Sequence, residues 1–507
     1  MSIETQTPTA SAVPSLTEAQ LRQFVSHGYV VLKTDFPAEF HDAMSHRIQE
    51  VMKKEGNPGN NILPRVPEVQ DVFNHPVIRG ALGSVLGPDH VMHPHRHCHF
   101  TEPGRKVQSW HKDSYWGHAK MRNHHPWWAM IFYYDHTVDE PLGPSGLLAG
   151  TQYYNDRNLD PGEQDTHLLG EAGTLALIHY DLWHRGNANV SEKTRSMLKF
   201  QFVRMQRPAA GTAPAWQPMN GDGPPNPHET IWRHQWQWLH GATGAPTTAT
   251  ASGSVGGLIA QLADSDRHVR LRAADVLGAL GAAAAEAIPV LSACLADEFE
   301  PVALNAAYGL AGMGAPGVAA LVAQLRSEDK ATSRNAAYGL SAAGEAAVAG
   351  SLETLSFATE HVRGHAAFAL GEIGLAGSAH AKAGVEALAK TARDSSDWVR
   401  RTTAEALGTI DVHGASHDKR LEALCQLLND IDAQARFESA LAIARIGPAA
   451  AAATSALGSA LKDENRYVRA NAVDALNRIG THDAQRLLID HLLGARWCYS
   501  TTAESLF

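Results

Sequence analysis

A short motif recurs along the C-terminal half of this chain and constrains its fold more than any other feature. The sequence VRLRAADVLGALG at 269–281 recurs as VRGHAAFALGEIG at 362–374 and as VRANAVDALNRIG at 468–480. A single unit of this kind cannot bury its apolar face alone, so successive helix pairs stack into an α-solenoid. The sequence therefore predicts seven helix pairs in this half. The units close at 281, 314, 344, 374, 411, 447 and 480, in steps of 33, 30, 30, 37, 36 and 33 residues.

The repeated motif also points to a known repeat family. Together with NAAYGL, which occurs at 305–310 and again at 335–340, it resembles HEAT repeats of the short type found in phycobilisome-lyase-like proteins. The resemblance covers 255–490 and implies a fold only, because fold does not imply function. A lyase would also need a tetrapyrrole site, for which the solenoid shows no motif.

The N-terminal half has a different texture, with short strands separated by turns rich in Gly, Pro and Asn. Before them, Thr17 and Gln20 have the spacing of a capping box, and Gly28 is suited to end the helix that they begin. Many short strands in one block predict a sandwich or a barrel. The candidate strands are 91–100, 106–112, 127–134, 145–149, 173–179 and 197–204.

A chain of 507 residues is too long for one hydrophobic core, so we expect several domains. The fold class predicted is therefore multidomain, with a β-rich domain followed by an all-α solenoid. The predicted boundaries are a disordered lead-in at 1–15, the β-rich domain at 16–208, a Trp-containing connector and linker at 209–254, the solenoid at 255–490 and a tail at 491–507.

Composition and the N-terminal sequence indicate which kinds of partner and which cellular compartment to expect. A net charge of -10 argues against nucleic acid as the main partner, since that affinity comes largely from Lys and Arg. Four scattered cysteines suggest neither a disulfide framework nor a zinc motif. The N-terminus lacks the pattern of a signal peptide, and no apolar run reaches membrane-spanning length. We expect a cytoplasmic protein without membrane or nucleic-acid partners.

Three residues of the β-rich half could hold a metal. His111 and Asp113 lie two residues apart in a strand-like run, so both side chains point to the same side. His184 follows a second strand-like run, and two imidazoles with one carboxylate form the facial triad of non-haem Fe(II) oxygenases. His-x-Asp alone often occurs by chance, and His179 competes with His184 as the third ligand. We prefer His184 because Arg195, a side chain suited to gripping a carboxylate, follows it eleven residues later.

The block from Leu16 to Arg207 resembles the phytanoyl-CoA dioxygenase family of Fe(II)/2-oxoglutarate enzymes. The resemblance implies a double-stranded β-helix, a jelly-roll of the cupin kind with flanking helices, and a dependence on Fe(II), 2-oxoglutarate and O2. It further implies that His111, Asp113 and His184 hold the iron, that Arg195 pairs with the distal carboxylate of 2-oxoglutarate, and that Trp128 lines the co-substrate pocket. The motifs that carry the resemblance are LTEAQLRQF at 16–24, GYVVL at 28–32, WHKD at 110–113, Trp128 with DHTVD at 135–139, GPSGLLAG at 143–150 and HRGNANVSEKTR at 184–195.

Two positions depart from the family pattern, and several neighbours of the triad remain open. Gly186 stands where some members place a hydroxyl that assists the arginine, and Gly150-Thr-Gln replaces the usual Pro-Gly-Ser-His ending. Tyr115 and Trp116 are candidate substrate contacts, although aromatic residues are as often simple packing. The alternating histidines would share one strand face, either lining the pocket or being satisfied by neighbours. They are His93, His95, His97 and His99.

By this resemblance the reaction is the hydroxylation of an unactivated C–H in a small-molecule or carrier-bound metabolite, with succinate and CO2 as co-products. Related halogenases carry a small residue where this chain has Asp113, which favours hydroxylation here; desaturation and ring chemistry stay alternatives. A second reading is a HEAT-repeat scaffold with a vestigial oxygenase domain. In either reading the solenoid could bind a protein partner or mediate self-association.

Overall fold

The computed structural model describes residues 15–113, 121–157, 165–217, 228–242, 254–375, 379–411 and 413–494. The chain divides into two compact units that interleave along the sequence. The first comprises 1–111, 126–150 and 165–204, and the second comprises 112–125, 151–164 and 205–507.

The first unit begins with helices, as the capping signals predict. In α1 (Glu18–His27) the Thr17 and Gln20 side chains form a complete capping box, and Gly28 closes the helix at φ +79°. This left-handed turn leads directly into the first strand. Three more helices follow: α2 (Ala38–Glu55), α3 (Glu68–Asn74) and α4 (Pro76–Leu86).

Within the described residues, eight strands form two antiparallel sheets, the double-stranded β-helix that the resemblance implied. The large sheet has the order β1-β6-β3-β8-β2, and the small sheet has the order β5-β4-β7. Strands β3, β6 and β8 are buried along their whole length, because helices cover one face of the large sheet and the core fills the other. The strands are β1 (Tyr29–Lys33), β2 (His90–Thr101), β3 (Trp128–Tyr133), β4 (Ser145–Leu147), β5 (Thr166–Leu168), β6 (Thr174–His179), β7 (His184–Gly186) and β8 (Arg195–Arg204).

The candidate strand 106–112 is reduced to a single bridge. His111 and His184 exchange both backbone hydrogen bonds at 3.0 Å, and the Gln108 N–H donates to the Gly186 carbonyl at 2.9 Å. The reason is the partner's length: β7 is only three residues long, so a continuous ladder cannot extend along the whole run. The bridge nevertheless pairs this run with the β7 edge of the small sheet.

The second unit contains the predicted solenoid, whose described residues form seven helix pairs. Six of the seven predicted closing positions are glycines with positive φ that follow a second helix, at 281, 314, 344, 374, 447 and 480. The seventh, Asp411, lies two residues after its helix ends at Thr409. The second helices are α7 (Arg267–Leu280), α9 (Glu300–Ala311), α11 (Lys330–Ala343), α13 (Glu360–Ile373), α15 (Asp397–Thr409), α17 (Ala433–Ile446) and α19 (Arg466–Ile479). The first helices are α6 (Val255–Gln261), α8 (Ile288–Cys294), α10 (Gly314–Leu325), α12 (Val348–Thr354), α14 (Ala381–Thr391), α16 (Ala415–Leu427) and α18 (Thr454–Ala460), and α20 (His482–Gly494) follows the last pair.

A Trp-containing helix of the connector packs within this unit. This helix, α5 (Glu229–Leu239), contacts α7 and α9. The Asp275 carboxylate accepts the backbone N–H groups of Glu229 and Thr230 at 3.2 and 2.9 Å, which caps the helix from a neighbouring element. Most of the predicted linker that follows lies outside the described residues.

Two helical runs, 267–294 and 433–460, are long and apolar enough to cross a membrane by length and composition. Each run contains the turn that joins two solenoid helices, at Gly281 (φ +55°) and Gly447 (φ +68°). Core helices of soluble proteins pass the same test, so the two runs are weak evidence. We assign both to the solenoid.

An arginine near the start of the second helix links neighbouring repeats; it follows valine at Arg270, Arg363 and Arg400, and alanine at Arg436. The Arg400 guanidinium makes two hydrogen bonds to the Asp430 carboxylate, at 2.6 and 2.9 Å, and a third to the Asp394 carbonyl at 2.9 Å. Such bidentate pairs are among the stronger side-chain hydrogen bonds. The Asp430 bond raises the pKa of the Arg400 guanidinium. The same pairing to an aspartate of the next repeat recurs in Arg270–Asp297, Arg363–Asp394 and Arg436–Asp463.

We expect Arg400→Ala to lower the free energy of unfolding by about 2–3 kcal/mol, because it removes several charge-assisted hydrogen bonds at a poorly exposed site. Arg326→Ala is the matched control. It breaks only the Glu353 pair, whose side chains are 39% and 73% exposed, and should cost no more than about 0.5 kcal/mol. Urea unfolding of the full chain, followed by circular dichroism, measures both. Equal losses would contradict a locking role for Arg400.

The buried histidine before α5 predicts acid sensitivity. Burial lowers the pKa of His228 to about 4, so the unfolded chain takes up a proton first as the pH falls below its ordinary value of 6.5. Stability should therefore be lost between those two values. His228→Asn removes this component, whereas exposed His46→Asn retains it. Unfolding free energies at about pH 7 and about pH 5 test this, and an unchanged difference in His228→Asn would contradict it.

Candidate active site

The structure brings the three predicted ligands together. Within the described residues, His111, Asp113 and His184 form a group whose potential ligand atoms all lie within 4.8 Å of one another. The two imidazole rings lie 4.5 Å apart, at 58° to each other. The backbone bridge between these histidines sets that spacing, because directly opposed residues of an antiparallel pair project to the same side. The group contains His184 and not His179, which ends β6.

Backbone contacts orient both rings in the same way. The Nδ1 of His111 lies 3.0 Å from the Ser109 carbonyl oxygen, and the Nδ1 of His184 lies 2.9 Å from that of Leu182. A carbonyl oxygen only accepts, so each Nδ1 carries the proton and donates it. Each Nε2 then keeps its lone pair, which is the tautomer that a metal requires. Two neutral imidazoles and a carboxylate fit a divalent iron.

A cavity of about 540 Å³ opens beside the two histidines. It lies between the large and small sheets, and its volume is within the usual range for small-molecule sites. Basic side chains from the two sheets and the adjoining segment give it a cationic lining. Among the described residues, those basic side chains are Arg105, Arg185, Arg195 and Lys199, beside His97, His99, His111 and His184.

Arg195 is the buried cation at the start of β8 and is only 2% exposed. Its guanidinium donates to the Thr101 hydroxyl at 2.7 Å and to the Ser145 hydroxyl at 3.3 Å. Its Nε makes no hydrogen bond to any described residue, although it is fully buried. The guanidinium is thus oriented and retains a donor for an anionic ligand in the cavity.

Sequence reasoning missed the two hydroxyls that hold Arg195. Thr101 lies directly opposite Arg195 in the β2–β8 register, and Ser145 comes from the small sheet. The expected hydroxyl position is Gly186, where an added Cβ would lie 2.9 Å from the Gln108 side-chain oxygen. The hydroxyls therefore come from other strands. The motif at 143–150 already contained Ser145, but only the fold shows which residue it faces.

The other predicted site residues are Trp128, Tyr115 and Trp116, and of these only Trp128 lies among the described residues. Trp128 is buried on β3 and packs against His93 and Tyr180, with ring centroids 5.1 and 5.3 Å away. The described residues that line the cavity include Phe132 of the same strand and do not include Trp128. Its role in binding the co-substrate stays a prediction. Tyr115 and Trp116 lie outside the described residues.

The four alternating histidines of β2 do not act as one face. The register with β8 shifts between Met92 and Arg96, so a bulge interrupts the alternation that the sequence suggested. His97 and His99 line the cavity, whereas His93 is buried against Trp128. Burial lowers the pKa of His93 to about 3, which keeps this ring neutral.

Family comparisons agree with this geometry. Residues 24–197 match the model of the phytanoyl-CoA dioxygenase (PhyH) family, so the β-rich half carries a domain of that family. Residues 351–430 and 421–505 match HEAT repeats, and 269–297 match the PBS lyase HEAT-like repeat. The domain is thus of the Fe(II)/2-oxoglutarate oxygenase class, with Fe(II) and 2-oxoglutarate as its cofactors.

Solved structures give weaker likenesses. The non-haem alpha-ketoglutarate-dependent carbocyclase SnoK of nogalamycin biosynthesis is 16% identical over 39% of this chain and 87% of its own, with a TM-score of 0.33. CytC3 with Fe(II) and alpha-ketoglutarate is 13% identical over 38% and 78%, with a TM-score of 0.32. An engineered protein is 23% identical over 45% and 97%, with a TM-score of 0.26. No curated protein matches this chain significantly.

Removing the Thr101 hydroxyl tests whether Arg195 binds 2-oxoglutarate. Thr101→Val removes the shorter bond to Arg195 at nearly constant volume, so 2-oxoglutarate should bind about 5- to 10-fold more weakly, equivalent to about 1 kcal/mol. Thr34→Val is the control, because Thr34 is also buried and its hydroxyl bonds no described residue. Anaerobic calorimetry with Fe(II) present measures both. Equal affinity in Thr101→Val and the wild type would contradict this role.

Proposed function

We propose that the β-rich domain is an active Fe(II)- and 2-oxoglutarate-dependent hydroxylase of a small-molecule or carrier-bound metabolite. It would hydroxylate an unactivated C–H and release succinate and CO2. The observation that carries the proposal is the grouping of His111, Asp113 and His184 within 4.8 Å, two of them lining the cavity that also holds Arg195. A vestigial domain would have no need to keep metal ligands, ring orientation and anion site together.

Iron would be held by the two Nε2 atoms and the Asp113 carboxylate. When bound, it supplies the O2-dependent oxidation that is coupled to decarboxylation of 2-oxoglutarate. The protein's own residues orient and enclose the reactants. Arg195 binds the distal carboxylate of 2-oxoglutarate, with Thr101 and Ser145 fixing its guanidinium. Phe132 packs edge-on against the His184 ring at 5.4 Å and provides an apolar wall.

The outcome of the reaction depends on the third ligand. A carboxylate at Asp113 occupies the position that related halogenases leave open for halide, which supports hydroxylation. Arg185, another cation of the lining, is paired with Asp165 at 3.1 Å, so its charge is already balanced. Arg195 is therefore the better anion site of the two. Product analysis distinguishes an alcohol from a desaturated or cyclised product.

The metabolite and the cellular setting belong to the same proposal. A cavity of about 540 Å³ suits a small molecule, or the end of a carrier-bound group, better than a folded protein. We place the reaction in the cytoplasm, without a nucleic-acid or membrane partner. Self-association or a protein partner through the solenoid is part of the same proposal.

Adding Fe(II) and then 2-oxoglutarate to the anaerobic apo-protein tests the proposal. We expect the weak visible charge-transfer band of the chelate. His111→Ala should abolish the band, because one of three protein ligands is gone. Arg195→Ala should weaken it and require more 2-oxoglutarate, because the distal carboxylate loses its partner. The measurement is a titration followed by visible absorption.

The matched control is His46→Ala, since the His46 side chain is 76% exposed on α2. It should give the wild-type band. Absence of the band in a well-folded wild-type protein would contradict the oxygenase proposal and favour the scaffold role.

A further inference from the structure

Residues 122–125, here called the tethered segment, contact four successive repeats of the second unit. The Arg122 N–H donates to the Tyr338 hydroxyl at 2.9 Å, and the Asn123 amide donates to Glu405 at 3.2 Å. Their partners lie on α11 and α15. His124 and His125 contact α9 and α13 in turn, so each of four adjacent second helices supplies a polar group to this short run. These further contacts are His124–Tyr308 and His125–Glu372.

Equivalent positions of the repeats form the ridge that holds the segment. Tyr308 and Tyr338 come from the two copies of NAAYGL, and Phe368 and Glu405 occupy the same position in the next two repeats. Tyr338 packs edge-on against Phe368 at 5.7 Å. Because identical positions of stacked helices point the same way, the repeats present one continuous row of side chains.

His124 is the centre of this contact. Its ring stacks on Tyr338, with centroids 3.8 Å apart and planes at 14°. Its Nε2 lies 2.9 Å from the Tyr153 carbonyl oxygen, so Nε2 carries the proton and Nδ1 accepts from the Tyr308 hydroxyl at 2.9 Å. Burial raises the pKa of Tyr308, which keeps that hydroxyl protonated as a donor. Gln235 donates to the same oxygen at 3.2 Å.

The network continues to the residue beside the metal ligand. Lys112 donates to the Thr151 carbonyl at 3.1 Å, two residues from the Tyr153 carbonyl that His124 binds. The same loop is fixed further on, because the Glu300 carboxylate accepts the N–H groups of residues 155 and 156 at 2.9 and 2.8 Å. An unbroken series of described contacts therefore runs from α9 to Lys112, which directly precedes Asp113.

We propose that the solenoid positions Asp113, the third residue that would bind the iron. The row of repeat side chains does so by binding the chain's own tethered segment. Tyr308 and Tyr338 are positioning residues that act through His124, the 151–153 loop and Lys112. They are only 5% and 2% exposed, so this part of the ridge is already occupied and offers no surface to a separate protein. The inference rests on the proposed function, because Asp113 must be a metal ligand for its position to matter.

The test is the double variant Tyr308→Phe and Tyr338→Phe in the full chain. Phenylalanine keeps the stacked rings and removes both hydroxyls, so the fold should persist while the tethered segment loosens. We expect Fe(II) to bind about 10- to 100-fold more weakly, as is typical when groups that support metal ligands are removed. Tyr467→Phe is the matched control, since Tyr467 is a buried tyrosine of α19 whose ring contacts Arg466.

A second readout does not depend on iron. Amide hydrogen exchange of the metal-free protein should become faster in a peptide covering 108–113 in the double variant and stay unchanged in Tyr467→Phe. If the double variant does not fold, Tyr338→Phe and Glu372→Gln, each alone, carry the same two measurements. Wild-type Fe(II) affinity and wild-type exchange in a folded variant would overturn the proposal.

The two proposals fail in different ways. Suppose that the wild-type protein gives no chelate band, but that exchange at 108–113 is faster in the double variant. The link between the solenoid and Asp113 would then stand, and the oxygenase function would not. A wild-type band that the double variant leaves unchanged, with exchange unchanged, would keep the oxygenase and overturn the positioning role.

Discussion

The metal group depends on a backbone bridge one residue pair long. His111 and His184 exchange two hydrogen bonds, and each Nδ1 is bound to a carbonyl two residues earlier, so main-chain contacts orient both rings. Asp113 lies two residues beyond the bridge and outside the named strands. The two candidate histidine ligands are thus tied to the small sheet by main-chain pairing, whereas the candidate ligand Asp113 lies just beyond that pairing.

Much of the site could be predicted because its signals are local. The spacing of His111 and Asp113, and the eleven residues from His184 to Arg195, are short sequence patterns supported by a resemblance that spans the motifs between them. The strand expected to carry His111 and Asp113 is only a single bridge at His111. The contribution of Thr101 could not be predicted, because it depends on which residue of β2 faces Arg195 across the sheet. The bulge after Met92 changes the β2 register in the same way, since nothing local in alternating histidines marks two extra residues.

The solenoid shows the same division between local and distant information. Its closing glycines could be found from sequence because each must adopt positive φ where a helix ends, and periodicity alone shows that constraint. Periodicity also shows that Tyr308 and Tyr338 are equivalent. It does not show what covers them, because the covering segment lies some two hundred residues earlier in the chain. The two compact units accordingly interleave along the sequence.

The buried polar ridge has a consequence for how the second unit folds. Tyr308, Glu372 and Glu405 bond to the tethered segment, so removing that segment would take these hydrogen-bond partners away from their hydroxyl and carboxylate groups. Each such hydrogen bond contributes about 0.5–3 kcal/mol to stability, the larger values applying to charged groups. The reverse holds for the segment if the repeats are removed. Solenoid and tethered segment should therefore fold together, so a truncation at the linker would disturb the environment of Asp113 as well as any partner surface.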